Sequence, residues 1–158
     1  MKRLFLFVSL VLCVSLFALT PVSLQLGDIT VSYFSEYFGL FDEITDYTEA
    51  EIAWVTDGDT VSVLRSKTLK LVESVRLIGL DTPETVHPSK PVEFFGKEAS
   101  DFAKKVLTDK QVILAYDWDP VDVYGRILAY LWMPVEYQGE TEYVLFNLLA
   151  IINGYGHA

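Results

Sequence analysis

Basic residues are scarce and confined to one stretch. The 158-residue chain carries 12 Lys and Arg against 22 Asp and Glu, a net charge of −10. No base lies between Leu4 and Leu64, and none follows Arg126. A protein that coats nucleic acid without regard to sequence needs a broad basic surface, so this balance argues against that class. It leaves room for an enzyme with a local cationic site. Cysteine is nearly absent: Cys13 stands alone inside an apolar run and reads as a small hydrophobe. An internal disulfide, a thiolate metal cluster and, once a leader is removed, a cysteine nucleophile are excluded. There is no zinc cluster, P-loop or Ser-His-Asp arrangement, and the two histidines, His87 and His157, read as solvated. The length suits one domain with a real core and excludes a multidomain enzyme. A hydrophobic fraction of 51% with 14% aromatics excludes a mostly disordered chain.

Met1-Lys2-Arg3 precedes 16 uncharged, mostly apolar residues, Leu4 to Leu19. A short positive region before an apolar run is the pattern of a secretory signal, and the run is short for a membrane span of about 20 residues. Residues 1–19 are therefore expected to be a signal peptide or N-terminal anchor. The protein is expected to be exported, either secreted or associated with the cell envelope. Any membrane contact would pass through an uncleaved leader, and the protein is expected to be a monomer.

Residues 20–50 form an acidic, aromatic N-terminal extension. Tyr33, Phe34, Tyr37, Phe38 and Phe41 recur at helical spacing and predict an amphipathic helix within residues 28–46, with Asp28 or Thr30 as its cap. A second unit, residues 51–158, starts with β-rich runs. Ile52 to Thr56, Thr60 to Arg65 and Leu69 to Leu80 read as strands. Ala99, Phe102, Ala103, Val106 and Leu107 make one apolar helix face. Val112 to Tyr116 and Ile127 to Trp132 read as further strands, and Phe146 to Asn153 as a helix stopped by Gly154. Three strands, a helix, two strands and a helix predict a small, mainly β, α+β or barrel domain rather than alternating βαβ units.

Three segments carry candidate chemistry. Asp57-Gly58-Asp59-Thr60 places two acids at a strand-to-strand turn, and taken alone it is a hairpin turn. Arg76 sits inside an apolar strand run, where a guanidinium needs a partner or a polar cavity; a structural ion pair would serve. Just beyond it, Asp81 and Glu84 flank Pro83, so both carboxylates can face one cavity. Carboxylates with a backbone carbonyl make an oxygen-only site, suited to Ca²⁺ or Mg²⁺. Finally, Asp122-Val123-Tyr124-Gly125-Arg126 leads into a strand and ends on the side chain that best forks onto phosphate oxygens.

Together these segments resemble the staphylococcal nuclease family. The matching residues are Asp57-Gly58-Asp59-Thr60, Arg76, Leu80-Asp81-Thr82-Pro83-Glu84-Thr85, His87-Pro88, Gly96-Lys97-Glu98-Ala99, Tyr124-Gly125-Arg126 and Leu128-Ala129-Tyr130. The resemblance runs from Ile52 to about His157. It implies a five-stranded OB-fold barrel with packed helices and Ca²⁺-dependent hydrolysis of DNA and RNA, leaving 3′-phosphate ends. By the same resemblance, Asp59 and Asp81 ligate the ion through carboxylates and Thr82 through its carbonyl, with Asp57 close by. Arg76 and Arg126 hold the scissile phosphate, Glu84 orients or deprotonates the attacking water, and Tyr124 contacts a phosphate. Such residues stabilise negative charge gathering on the phosphoryl oxygens.

Two departures stand out. Val123 replaces the family's usual Lys, which weakens contact to a terminal phosphate. The family domain also continues with a Tyr-bearing segment and a third helix beyond the position of Ala158. Either the sequence is truncated, or the aromatic 28–46 segment covers that surface instead. The alternative reading of the whole is an OB-fold module that binds nucleic acid without cutting it, or an envelope-anchored interaction protein.

Overall fold

A computed structural model describes residues 19–66, 68–85 and 93–158. Most of the expected leader and the His87-Pro88 pair lie outside the described residues. The chain order is β1 (Pro21–Leu26), β2 (Ile29–Phe34), a 3-10 helix (Ser35–Glu43), β3 (Tyr47–Asp57), β4 (Thr60–Ser66) and β5 (Leu71–Leu77). Then follow α1 (Gly96–Leu107), β6 (Gln111–Val121), β7 (Ile127–Tyr137), β8 (Glu140–Leu145) and α2 (Phe146–Ile152). Among the described residues, no helix is long and apolar enough to cross a membrane.

Strands β5, β4, β3, β6 and β7 pair in that order, all antiparallel. A parallel pairing of β5 with β7, Val75 with Ile127 through Leu77 with Ala129, closes the five into a barrel. Closure leaves the barrel without an unpaired edge of its own. This is the expected α+β, OB-type architecture. Strand β8, absent from the expected strands, pairs with β7 from Trp132–Leu145 to Tyr137–Glu140. Its polar Glu140-Thr141-Glu142 start hides the alternation that marks a half-buried strand.

Valines and leucines fill the interior: Val61, Val63, Val75, Leu114 and Leu131 are fully buried. Helix α1 closes one side against β3. Every residue of its expected apolar face, Ala99, Phe102, Ala103, Val106 and Leu107, is buried. Lys104 and Lys105 fall in its last turn, where positive charge complements the helix dipole. Asn147, in the first turn of α2, accepts the Leu131 N–H (3.0 Å) and donates to the Ile78 carbonyl (2.7 Å). It therefore ties the helix both to β7 and to the segment that leads from β5 to Asp81.

The N-terminal extension corrects one expectation. A hairpin, not a helix, occupies residues 21–34, and helical structure is limited to Ser35–Glu43. Asp28 lies in the hairpin turn and Thr30 in β2, where its hydroxyl donates to Gln25 at 2.8 Å. The 3-10 helix starts after Phe34 with no side-chain cap. The physical reason is that two periodicities overlap. Leu24, Val31 and Tyr33 are buried at strand spacing, whereas Phe38 and Phe41 belong to the turn of helix that follows.

These aromatics pack on β7 and β8. Tyr33 is completely buried and its hydroxyl accepts the Leu145 N–H (3.2 Å). Phe38 packs on Tyr137 with ring centres 5.1 Å apart, and Phe41 stacks on Tyr143 at 4.1 Å. The Asn153 side chain makes two 2.9 Å bonds to the Ser32 backbone, fastening β2 to the end of α2.

Candidate active site

The Asp57-Gly58-Asp59-Thr60 turn is a hairpin turn, but it is not a solvated one. Asp57 and Asp59 are only 5% and 4% exposed. Acids at a turn tip ordinarily face water, so burial here needs compensating donors. Asp59 receives the Thr60 hydroxyl (2.9 Å) and both the N–H and hydroxyl of Thr82 (3.0 Å each). Arg76 completes the set with an ion pair to Asp59 Oδ1. Asp57 receives the Gly58 N–H (2.8 Å) and the N–H and hydroxyl of Thr85 (3.1 and 2.8 Å). The turn thus holds the Asp81–Thr85 loop at two points, Thr82 and Thr85. Burial pushes the Asp57 carboxyl above its ordinary range; bonds from Thr85 and Gly58 oppose this, and one with the Glu84 side chain adds to it.

Arg76 satisfies two acids at once. Besides Asp59, its Nη2 donates to Asp81 Oδ1 at 2.9 Å. Burial alone would lower its pKa, but the Asp59 and Asp81 carboxylates more than offset that and raise it, so the guanidinium stays charged. Arg76 is thus paired as its place in an apolar run requires. The backbone fixes Asp81: its N–H and C=O exchange bonds with His157 at 2.8 and 3.0 Å. The exposed His157 ring lies 3.7 Å from Asp81 Oδ2.

Glu84 is held by its own backbone. Its N–H donates to Glu93 Oε2 (3.2 Å), and its carbonyl accepts the Glu93 N–H (2.9 Å). Arg126 is ordered by Asp122, whose carboxylate accepts the Arg126 Nε–H (2.7 Å), the Arg126 N–H (2.8 Å) and the Tyr124 N–H (2.9 Å). Its guanidinium carbon lies 5.5 Å from the centre of the Tyr124 ring, which is itself 82% exposed. Gly125 has φ +79, a left-handed turn position, and a side chain there would meet nothing within 4 Å. The glycine thus serves the turn rather than a close approach to ligand.

Barrel closure brings the two arginines to neighbouring strands. Val75 pairs with Ile127, so Arg76 follows one member of that pair and Arg126 precedes the other. Asp59, Arg76, Asp81 and Thr82 form one bonded cluster; Asp57, Thr85 and Glu84 form a second, joined to it through the Thr82–Thr85 loop; Arg126 and Tyr124 belong to a third, centred on Asp122. Residues given no role from sequence include Thr85, Glu93 and Asp122. Only Asp122 had a local signal, an Asp two and four residues before N–H groups it could cap in a Gly-containing turn.

Asp59 and Asp81 face different nitrogens of the same Arg76 guanidinium. The nearby donors, two carboxylates and the Thr82 carbonyl, are all oxygen and fit a hard divalent ion. Among the described residues, no group of three or more His, Cys, Asp or Glu side chains is placed to hold a metal. The remaining positions on such an ion would fall to water and substrate.

A closed five-stranded barrel with an acid–arginine cluster where β3–β4 meets the post-β5 loop defines a class of OB-type domains with an oxygen-donor site. The sequence pattern described as staphylococcal nuclease homologue matches residues 74–155, just over half of the chain. The chain belongs to that family. It is 53% identical over 74 residues to a thermonuclease of Staphylococcus intermedius, covering 47% of this chain and 42% of that protein. To a thermonuclease of Staphylococcus hyicus it is 50% identical over 74 residues, with the same shares, 47% and 42%. Endonuclease YncB of Bacillus subtilis (strain 168) is 36% identical over 73 residues, 46% of this chain and 33% of its own length. The chain spans less than half the length of these relatives.

Proposed function

We propose that the protein is an exported, metal-dependent nuclease that hydrolyses phosphodiester bonds of DNA and RNA with little sequence specificity. The observation that carries this reading is the Asp59–Arg76–Asp81 cluster, bonded to the loop that bears Glu84. The names of the relatives, thermonuclease and endonuclease, support the same reaction class. A bound Ca²⁺, held by Asp59, Asp81 and the Thr82 carbonyl, would supply positive charge at the phosphoryl oxygens.

The chain's own residues do the rest. The Arg76 and Arg126 guanidiniums present N–H donors to phosphoryl oxygens, and their charge counts most where the transition state is most negative. Asp122 fixes Nε of Arg126 and so sets the plane of its fork. The Glu84 carboxylate accepts a proton from the attacking water as the water oxygen bonds to phosphorus. The phosphorus–O5′ bond breaks, the 5′ oxygen takes up a proton, and the products are a 3′-phosphate and a 5′-hydroxyl. Tyr124, exposed beside Arg126, contacts a neighbouring phosphate. The Val123 position offers no cation there.

The non-cutting binding module is the weaker reading, because the acids, both arginines and Glu84 are all present. Digestion of single-stranded DNA and RNA decides between them. Cutting is expected in Ca²⁺, none in excess chelator, and a loss of roughly 100-fold or more in Arg126→Ala. Cutting that ignores the chelator and Arg126→Ala alike would reject the assignment. Export is tested by fractionating cells that make the full chain: the protein is expected outside the cytoplasm.

A further inference from the structure

One pair of aromatic side chains is left outside the core and the cluster. Phe94 is 96% exposed, and Phe95, the next residue, is 37% exposed. Full exposure of a phenyl ring forgoes burial that would otherwise stabilise the fold by about 2 kcal/mol. The pair is also rigidly founded. Phe95 stacks on Tyr155 (5.8 Å, 18° between planes), Tyr155 on Phe102 (4.0 Å, 10°), and Phe102 on Phe146 (6.1 Å, 21°). A ladder of near-parallel rings thus runs from the core to the surface, and Phe94 extends it at 6.5 Å and 36°. Phe94 directly follows Glu93, the residue whose N–H and carboxylate hold the backbone of Glu84. The ring is therefore tied by a short run of covalent and hydrogen bonds to the residue placed at the reacting water.

We infer that Phe94, backed by Phe95, is a stacking platform for an unpaired base of the substrate strand, on the Glu84 side of the scissile phosphate. This rests on the nuclease reading. A flat ring offered to solvent suits the π-face that every base carries, so the subsite binds without sequence preference. It also selects single strands or frayed ends, since a base in a duplex is already stacked on its neighbours. The occupant is a base rather than lipid: Phe94 follows Glu93, which holds the Glu84 backbone, so a substrate strand engaged at Glu84 carries its own bases past the ring.

The test measures binding apart from cutting. The full chain carrying Glu84→Gln is titrated, in Ca²⁺, into a labelled single-stranded DNA about eight nucleotides long. Phe94→Ala is expected to weaken binding about tenfold, and Phe94→Trp to restore it. On an oligonucleotide of the same length made of abasic residues, Phe94→Ala is expected to change nothing. Its melting temperature should match the parent's, because the ring is exposed. Equal binding by Phe94→Ala, or an equal loss on the abasic strand, overturns the inference. So does a loss of binding to phosphatidylglycerol vesicles with none to DNA, which would make the ring a lipid anchor. If the wild-type chain never cuts but Phe94 still governs binding, the nuclease reading fails and the platform stands. If it cuts and Phe94 is indifferent, the reverse holds.

Discussion

Removing one oxygen atom, by Tyr33→Phe, tests whether the N-terminal hairpin is part of the fold or an appendage. The ring keeps its packing in a fully buried position, while the Leu145 N–H loses its acceptor at the start of α2. A buried donor left without a partner costs about 1–3 kcal/mol. For a domain of this size that corresponds to a melting temperature lower by roughly 2–10 °C at pH 8. The pH dependence gives a second, sharper signature. Burial pushes the Tyr33 hydroxyl up to about 12, from an ordinary value of 10, against a smaller opposite effect of the Leu145 bond. Below pH 10 the phenol is neutral in folded and unfolded chains alike, so the stability it contributes is intact. As pH rises from 10 towards 12, only the unfolded chain ionises, and wild type loses about 1.4 kcal/mol per pH unit relative to Phe. The advantage of wild type should therefore shrink above pH 10 and vanish or invert near pH 12. Urea titrations of the pair at pH 8, 10 and 11 read this directly. Equal stability at pH 8, or a gap that stays constant up to pH 11, would show that the buried hydroxyl does not anchor the hairpin.

Other consequences follow from the same contacts. Deleting residues 21–43 strips Tyr33, Phe38 and Phe41 from β7, β8 and α2, and should lower the melting temperature by more than about 10 °C in calorimetry. Gly58→Ala would put a Cβ 2.8 Å from the Thr82 hydroxyl and 2.9 Å from its methyl. It should cost about 1–3 kcal/mol in urea unfolding and weaken Ca²⁺ affinity in titration calorimetry, by moving Thr82 off Asp59. Asp122→Ala frees the Arg126 fork; kcat should fall about tenfold or more, with Arg126→Ala adding little on top of it in a double-mutant cycle.

The barrel was legible because its signals are local. Valine-rich runs, the α1 stripe and the Asp-Gly turn each point to one local structure, and the structure agrees at each. The candidate site residues stood out for another reason: Arg76 in an apolar run and the acids around Pro83 are costly there unless partnered. What stayed hidden depends on contacts distant in sequence. Asp57 and Asp59 are buried only because Thr82, Thr85 and Arg76 converge on the turn from the neighbouring strand and loop. Strand β3 begins at Tyr47 rather than Ile52 because Tyr47 to Glu51 find partners on β6. Helical spacing of the aromatics masked the β1–β2 hairpin. There Leu24, Val31 and Tyr33 are a strand pattern completed by contacts of β1 with β7 and of β2 with α2.

In the proposed function, the Asp59–Arg76–Asp81 cluster and Glu84 form a phosphodiester-hydrolysing site. End-group analysis of a labelled single-stranded oligonucleotide, cut in saturating Ca²⁺ by wild type and by Glu84→Gln, tests it most directly. Fragments with 3′-phosphate and 5′-hydroxyl ends are expected, with a rate at least about 100-fold lower in the variant. Fragments with 5′-phosphate ends, or equal rates for the two proteins, would contradict it.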